Sequence, residues 1–234
     1  MKKYIYKFLP TFLYGILAGI AIALGSFVFI YCAYYGNKIL GSILFSVGLF
    51  VVCVLGLKLY TGQIAKLINI NEKPCIKPSF ICELIIMLIG NLLGAFIIGY
   101  MGYCMKGTEE FNSLVKSIGD SKLYNFTSVT AFFGDAFKSL LCGALVFLGV
   151  EIFNKNKDKP LIGTTGLVLA VTTFVVCGFT HCIANMFYYT IAGTLFNNFA
   201  STVGSLALCI LFNSIGAIII SLILDCGKVI SKKQ

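Results

Sequence analysis

A single histidine in the middle of a long apolar stretch is the residue with the clearest potential for chemistry. His181 follows Thr180 and precedes Asn185 by four positions, within Gly-Phe-Thr-His-Cys-Ile-Ala-Asn from residue 178. An imidazole donates a hydrogen bond when it is neutral and carries a full charge when it is protonated near neutral pH. Ionisable groups inside apolar segments usually face a solute pathway or a polar partner. We therefore interpret His181 as a functional residue rather than as a packed core histidine.

A second polar interruption stands in an earlier apolar run. Residues 56–62 read Gly-Leu-Lys-Leu-Tyr-Thr-Gly, which places Lys58 and Thr61 among apolar neighbours. The Thr61 hydroxyl can bond to a solute or back to its own helix, and the sequence leaves both open. Lys58 either keeps its charge near a pathway, where it attracts anions, or extends toward water along an apolar surface. These two alternatives are also open.

The acidic residues do not form a catalytic set with the histidine. Glu83, Asp135, Glu151 and Asp225 lie near the ends of apolar runs, and no two of them are placed to act together. The ten cysteines are scattered without a C-x-x-C pair, which argues against a zinc site or a disulfide framework. We expect a protein that is not an enzyme and that uses neither a metal nor another cofactor.

The elements that carry the polar residues are predicted to be membrane-spanning helices. Hydrophobic residues make up 59% of the 234 positions, charged residues make up 12%, and the mean hydropathy is +0.95. A soluble domain is about 45–50% apolar and about 25% charged. Apolar runs of spanning length occur at 8–34, 39–70, 79–105, 127–153, 161–191 and 201–225. We expect an all-α integral membrane protein in which six transmembrane helices form a single channel domain, residues 1–234.

Two of these runs, the second and the fifth, are predicted to be broken helices, because each is too long for one crossing and has glycine and polar residues in its middle. Asn91-Leu-Leu-Gly-Ala in the third run matches Asn213-Ser-Ile-Gly-Ala in the sixth. Each half holds three spans, so the second copy would enter the membrane upside down. We predict an inverted three-plus-three repeat over approximately 8–105 and 127–225.

The net charge of +9 comes from lysine alone, since the chain has no arginine. Of the 18 lysines, 12 flank alternate loops, at positions 2, 3, 7, 66, 73, 77, 155, 157, 159, 228, 232 and 233. Positive residues concentrate on the cytoplasmic side of membrane proteins, so both termini are predicted to be cytoplasmic. Nucleic-acid binding would need these charges clustered on one water-facing surface. We expect the lipid bilayer as a partner and no nucleic acid.

The motifs around the polar residues resemble those of the formate/nitrite transporter family. Phe-Ser-Val-Gly-Leu at 45–49 and Gly-Leu-Lys-Leu-Tyr-Thr at 56–61 are similar to the family's second span, which has the pattern G-x-D/E-L-F-T. Residues 178–186 are similar to its fifth-span signature, G-F-E-H-x-x-A-N-M. With the asparagine motifs of the third and sixth runs, the resemblance covers nearly the whole chain.

The resemblance implies an aquaporin-like homopentamer in a prokaryotic cell (inner or plasma) membrane. Each protomer would have its own pore for a small monovalent anion such as formate, nitrite or hydrosulfide, with or without a proton. By position, His181 and Thr61 become the central polar pair, while Asn185 and Asn213 match asparagines that support the broken segments. The implied apolar constrictions are Phe45, Leu49, Leu59, Tyr60 and Phe174.

The chain departs from the family pattern at charged positions. Thr180 stands where the family has an acid before the histidine, and Lys58 replaces the acid of the second span. At the family's pore-proximal lysine the chain has Ser128, while Lys122 and Lys138 are several positions out of register. A more positive pathway favours anions if Lys58 keeps its charge near the pore. The alternative is a membrane relative that has lost its pore or passes another small solute.

Overall fold

The computed structural model describes residues 2–68, 70, 78–105 and 107–231. The regular elements in this part of the chain are helices, which confirms the predicted all-α class. Lysines 73, 77, 232 and 233, which are among the lysines that predict cytoplasmic termini, lie outside the described residues.

Four long apolar helices form two packed pairs. In one pair α1 (Lys2–Tyr34) lies along α4 (Pro78–Cys104), and in the other α6 (Val129–Lys155) lies along α10 (Phe199–Ser231). Their apolar segments of 25 to 33 residues are long enough to cross a bilayer.

Glycines let the helices of each pair approach closely. A Cβ atom added to Gly19 would overlap the backbone oxygen of Asn91, and one added to Gly143 would overlap the backbone oxygen of Asn213. Small residues at such crossings allow backbone-to-backbone packing between membrane helices. The two pairs therefore repeat the same close contact.

The other two apolar runs are each divided into helical pieces, as predicted. The second run forms α2 (Lys38–Val54), a short helix α3 (Tyr60–Gln63) and a 3-10 turn (Ile64–Leu67). The fifth run forms α7 (Pro160–Val176) and α8 (Cys182–Ile191). Since α2 and α7 have only 17 residues each, the count of six spans depends on each divided run crossing the membrane once, and it stays a prediction.

We call residues 55–59 the first break and residues 177–181 the second break. Each break contains a glycine in the left-handed region, with φ of 63° at Gly56 and 70° at Gly178. In each break the amide after the glycine donates to a carbonyl five residues earlier, at 2.9 Å. This geometry ends a helix and favours glycine, because a Cβ atom is disfavoured at positive φ.

The second piece of each divided run packs against the opposite half of the chain. α8 packs mainly against α4, whereas the 3-10 turn packs against α10. This exchange brings the two breaks to the middle of the molecule, between the helix pairs.

An amphipathic helix that the sequence analysis did not predict connects the two halves. α5 (Glu109–Asp120) begins where the Thr108 hydroxyl accepts a hydrogen bond from the Phe111 amide, as an N-cap residue does. It packs against α8 and the short helix α9 (Thr194–Asn197). The turn that follows α5 therefore lies next to the second break.

Candidate functional site

An asparagine of α4 holds the first break in place. The Asn91 side-chain oxygen accepts a hydrogen bond from the Tyr60 amide at 2.8 Å. Its amide nitrogen donates to the Lys58 carbonyl at 2.8 Å and to the Gly15 carbonyl of α1 at 2.8 Å. Asn91 is fully buried, so these bonds satisfy backbone groups that lipid would leave unpaired.

An asparagine of α10 does the same for the second break. Asn213 accepts a hydrogen bond from the Cys182 amide at 2.9 Å and donates to the Thr180 carbonyl at 2.9 Å. Its third bond reaches the Ser139 carbonyl of α6 at 2.6 Å. The sequence separations to the break residues, 31 and 33, are the same for both asparagines. The two breaks thus have one scaffold.

The structure brings His181 into contact with Thr61. The imidazole Nε2 lies 2.9 Å from the Thr61 hydroxyl, and both residues are buried. The other ring nitrogen, Nδ1, accepts a hydrogen bond from the Ala184 amide in the first turn of α8, at 3.4 Å. A neutral imidazole with Nδ1 as acceptor carries its proton on Nε2, so that Nε2–H donates toward Thr61.

A cavity of about 20 Å³ lies beside the histidine, and we call it the His181 cavity. It has room for roughly one water molecule. Phe45 and Phe174 line it with their rings edge to face, 5.6 Å between centroids. The Phe174 ring also stacks against the imidazole at 6.1 Å. Two of the five predicted constriction residues therefore border the histidine.

Lys122, in the turn after α5, also lines the His181 cavity. Its ammonium lies 3.4 Å from the Gly178 carbonyl and 6.0 Å from the centroid of the Tyr188 ring. A larger space of about 250 Å³, which we call the Lys122 vestibule, is lined by Lys122 and Lys38. Burial lowers the pKa of Lys122 below the usual lysine value, because a low-dielectric surrounding disfavours the charged form. Sequence register alone did not identify this lysine.

Asn185 presents an unpaired oxygen among the residues that line the same cavity. The Tyr189 hydroxyl donates to the Lys122 carbonyl at 2.6 Å, so it accepts from the Asn185 amide nitrogen, 3.5 Å away. This chain of donors orients the amide group. The Asn185 side-chain oxygen is buried and has no hydrogen-bond partner in the described part of the chain. It is free to accept a bond from a solute.

A second cavity of about 80 Å³ borders the first break, and we call it the Lys58 cavity. Lys58 and Leu59 line it from the break, and Gln63 lines it from α3. Val150 and Asn154 of α6 complete its opposite side. The predicted residues Lys58 and Leu59 therefore lie together, but at a different cavity from His181.

Thr180 lines neither the His181 cavity nor the Lys58 cavity. Its hydroxyl lies 2.7 Å from the Ser139 hydroxyl, which is also 2.6 Å from the Tyr124 hydroxyl. This buried cluster joins α6 to the second break. The position where the family pattern has an acid is therefore occupied by a neutral group that faces a neighbouring helix.

Two further predicted constriction residues, Leu49 and Tyr60, also line neither cavity. The Tyr60 hydroxyl bonds to Ser214 of α10 at 2.9 Å, and its ring packs with Met87 and Phe147 in a separate apolar cluster. Leu49 is 1% exposed and belongs to the main core cluster. Their predicted role as constrictions stays a prediction.

Comparisons with known proteins agree with these motifs. A family model described as formate/nitrite transporter matches residues 1–227. The formate channel FocA of Haemophilus influenzae is 28% identical over 193 residues, which cover 76% of this chain and 64% of that protein's length. FocA of Escherichia coli K12 is 28% identical over 208 residues, with 82% and 69% covered.

Two solved structures share the fold. A pentameric formate channel with formate bound superposes with a TM-score of 0.68 and 25% identity, over 99% of this chain and 96% of that one. An FNT family ion channel gives a TM-score of 0.72 at 18% identity, over 96% and 89%, which is evidence for the fold alone. Since the family model covers nearly every residue and the helical arrangement agrees, the chain belongs to the formate/nitrite transporter family.

Proposed function

We propose that each protomer forms a transmembrane pathway for a small monovalent anion of the formate, nitrite or hydrosulfide type. The observation that carries the proposal is the contact between His181 and Thr61, where the two divided runs meet. One cavity lies on the histidine side of this contact and another borders the first break. The relatives named formate channels support an anion as the solute.

Anion entry is assigned to the Lys122 vestibule. Lys122 and Lys38 give this space a positive potential, which raises the local concentration of anions. Beyond it, the Phe45 and Phe174 rings leave no room for a hydration shell, because the His181 cavity is only about 20 Å³. A solute that continues must exchange water for protein hydrogen bonds.

The polar groups around the His181 cavity suit the protonated, uncharged form of a weak acid better than its anion. The Lys122 ammonium is a donor, the imidazole N–H is shared with Thr61, and the Asn185 side-chain oxygen is an acceptor without a partner among the described residues. A bare carboxylate would be repelled by that oxygen, but the hydroxyl of the protonated acid would donate to it. The proposed solute therefore enters as an anion, takes a proton from a hydronium ion in the vestibule, which leaves water, and passes the aromatic pair without charge.

The proposed assembly is a homopentamer in the cell membrane of a prokaryote, with both termini in the cytoplasm. A pentameric relative of the same fold supports the oligomer. Exposed leucines on α1, at positions 13, 17 and 24, fit contact with lipid or with a neighbouring protomer. Lys58, Lys66 and Lys157 lie near one another on the side of the first break, in agreement with a positive cytoplasmic face.

Flux in proteoliposomes tests the proposal. The purified chain is reconstituted in phosphatidylcholine vesicles, and uptake of formate, nitrite and hydrosulfide is measured between about pH 5 and 8. Uptake above that of empty vesicles, reduced in His181→Phe, is the expected result. Uptake equal to that of empty vesicles for all three anions would instead favour a relative without an open pore.

A further inference from the structure

One lysine lines the Lys58 cavity, and two exposed lysines from other elements lie within electrostatic range of it or of its lining. Lys58 lines it from the first break, and Lys66 of the 3-10 turn lies within electrostatic range of Lys58 and Lys157. Lys157, in the turn between α6 and α7, is in turn within range of Cys53, which lines the cavity. Segments far apart in sequence therefore add two positive charges to the surroundings of Lys58.

These charges are not neutralised within the described residues. No carboxylate there lies within salt-bridge distance of Lys58, Lys66 or Lys157. Glu151 is within electrostatic range of Lys66, but its carboxylate pairs with Lys155 at 3.0 Å. Like charges held close together without counterions are unfavourable, so an anion that joins them gains energy.

Unused hydrogen-bond donors line the same cavity. The side-chain amides of Gln63 and Asn154 have no hydrogen-bond partner among the described residues. The backbone amides of Lys58 and Leu59 also have none there, because the break interrupts the helical pattern. Amides without a partner and the Lys58 ammonium around one space form a surrounding that suits an oxyanion.

We propose that the Lys58 cavity is a binding site for a phosphate group, distinct from the His181 cavity. A phosphate dianion has more charge than a monovalent solute and enough acceptor oxygens to use several of these donors. Its second charge makes removal of its water far more costly, so it cannot follow a small weak acid past the aromatic pair. A bound phosphate group therefore blocks the pathway from the side of the first break.

The blocking role rests on the proposed function, whereas phosphate binding does not. Binding is therefore measured first, on the purified full chain in detergent, by titration with inorganic phosphate followed by calorimetry. Lys58→Glu should raise the dissociation constant at least about tenfold and Lys58→Met about threefold, since each removes charge from the site. Lys116→Met, which removes an exposed lysine on α5, is the matched control and should bind like the parent.

Two results would overturn the site: no phosphate binding by the parent, or equal binding by the parent and Lys58→Glu. If Lys58→Glu does not fold, the double variant Lys66→Met with Lys157→Met replaces it, and the same loss of binding is expected. Equal binding by that double variant and the parent would also contradict the site.

Flux measurements then separate free phosphate from a lipid phosphate. In phosphatidylcholine vesicles, inorganic phosphate on both sides should slow formate flux through the parent and have little effect on Lys58→Glu. In a parallel set without phosphate, phosphatidylglycerol replaces part of the lipid. If formate flux through the parent is slower in these phosphatidylglycerol vesicles, and flux through Lys58→Glu is not, the site binds a lipid headgroup. Parent flux that neither phosphate source changes would contradict the block, whereas absent flux with intact phosphate binding would contradict the proposed function alone.

Discussion

Between its glycine and the following short helix, the first break reads Leu57-Lys58-Leu59 and the second reads Phe179-Thr180-His181. The backbone of both breaks turns through a glycine at positive φ, and one buried asparagine holds each of them by the same three kinds of bond. The side chains have different surroundings. Leu59 lines the Lys58 cavity, whereas His181 contacts Thr61 across the two breaks.

The comparison shows that a broken membrane helix needs partners for its backbone groups, whereas the side chains within the break can differ. Interrupting a helix in lipid leaves amides and carbonyls that need partners, and the asparagines meet this need in both halves. That need does not depend on the side chains of the break. One break is consequently able to carry a cation and the other a buried imidazole on the same scaffold.

The largest expected effects are on the shared scaffold, at the helix crossings and at the two asparagines. Gly19→Ala and Gly143→Ala should each strongly destabilise the folded protein, by about 1–3 kcal/mol or more, because the new methyl group overlaps a backbone oxygen of the partner helix. Thermal unfolding in detergent measures this. Gly204→Ala on α10 is the control, since an added Cβ atom there meets no atom within 4 Å. Stability of either crossing variant equal to that of the control would contradict the repeated contact.

Removal of either asparagine should cost stability to a similar extent. Asn91→Ala and Asn213→Ala each leave buried backbone groups unpaired, at about 1–3 kcal/mol for each group. The measurement is again thermal unfolding of the purified protein. A large loss for one asparagine beside an unchanged melting temperature for the other would show that the two breaks are not held in the same way.

Selectivity should depend on the His181 cavity more than on the Lys58 cavity. Phe45→Ala combined with Phe174→Ala enlarges the His181 cavity, so larger anions such as acetate and lactate should permeate several-fold faster. Val52 of α2 lines the Lys58 cavity instead, and Val52→Ala is the comparison variant. Vesicle uptake of formate, acetate and lactate gives the ratio. An unchanged ratio in the phenylalanine double variant would mean that the constriction lies elsewhere.

A variant at Leu49 is expected to change selectivity in the same direction but by less. Because Leu49 is buried in the core beside Phe45 and lines neither cavity, Leu49→Ala together with Phe174→Ala should loosen selectivity less than the phenylalanine double variant does. The same uptake ratios measure it. A greater loosening with Leu49→Ala would place the leucine, rather than Phe45, at the narrowest point.

The smallest expected effect is a change in pH dependence at Lys122. Its lowered pKa means that it loses charge at a lower pH than a free lysine, for which the pKa is about 10.4. Nitrite uptake should therefore fall as pH rises toward about 10. Lys122→Arg should show a shallower fall, because an arginine stays protonated throughout and only the protonation of the solute still changes with pH. Parallel pH profiles for the parent and Lys122→Arg would contradict a role for this charge.

Much of the scaffold could be predicted from the sequence. The apolar runs mark the long helices, and glycines beside polar residues mark the breaks, because both depend on local composition. Asn91 and Asn213 each stand three positions before a glycine and four before an alanine, so the two asparagines could be recognised as a pair. The family resemblance pairs His181 with Thr61, and their side chains lie 2.9 Å apart although the residues are far apart in sequence.

Other features could not be predicted, for physical reasons. Lys122 reaches the His181 cavity through the turn after α5, and no periodicity specifies where such a turn lies. Within a break there is no helical period, so the facing of Thr180 toward α6 had no pattern to indicate it. Tyr60 begins a helix of only four residues, which is too short to show a period that would indicate its facing toward α10. The start of α5 did have a signal, a threonine N-cap followed by acidic residues in the first turn.

The central claim is that the chemistry of the pathway lies at His181, while Lys58 adjusts it. The direct test is formate, nitrite and hydrosulfide uptake between about pH 5 and 8 by the parent, His181→Asn, His181→Phe and Lys58→Met in phosphatidylcholine vesicles. We predict that both His181 variants change the rate and the pH profile more than Lys58→Met, which should weaken uptake and shift its pH optimum. Rates and pH profiles in the His181 variants that match those of the parent would contradict the claim, while leaving the fold and the family assignment unchanged.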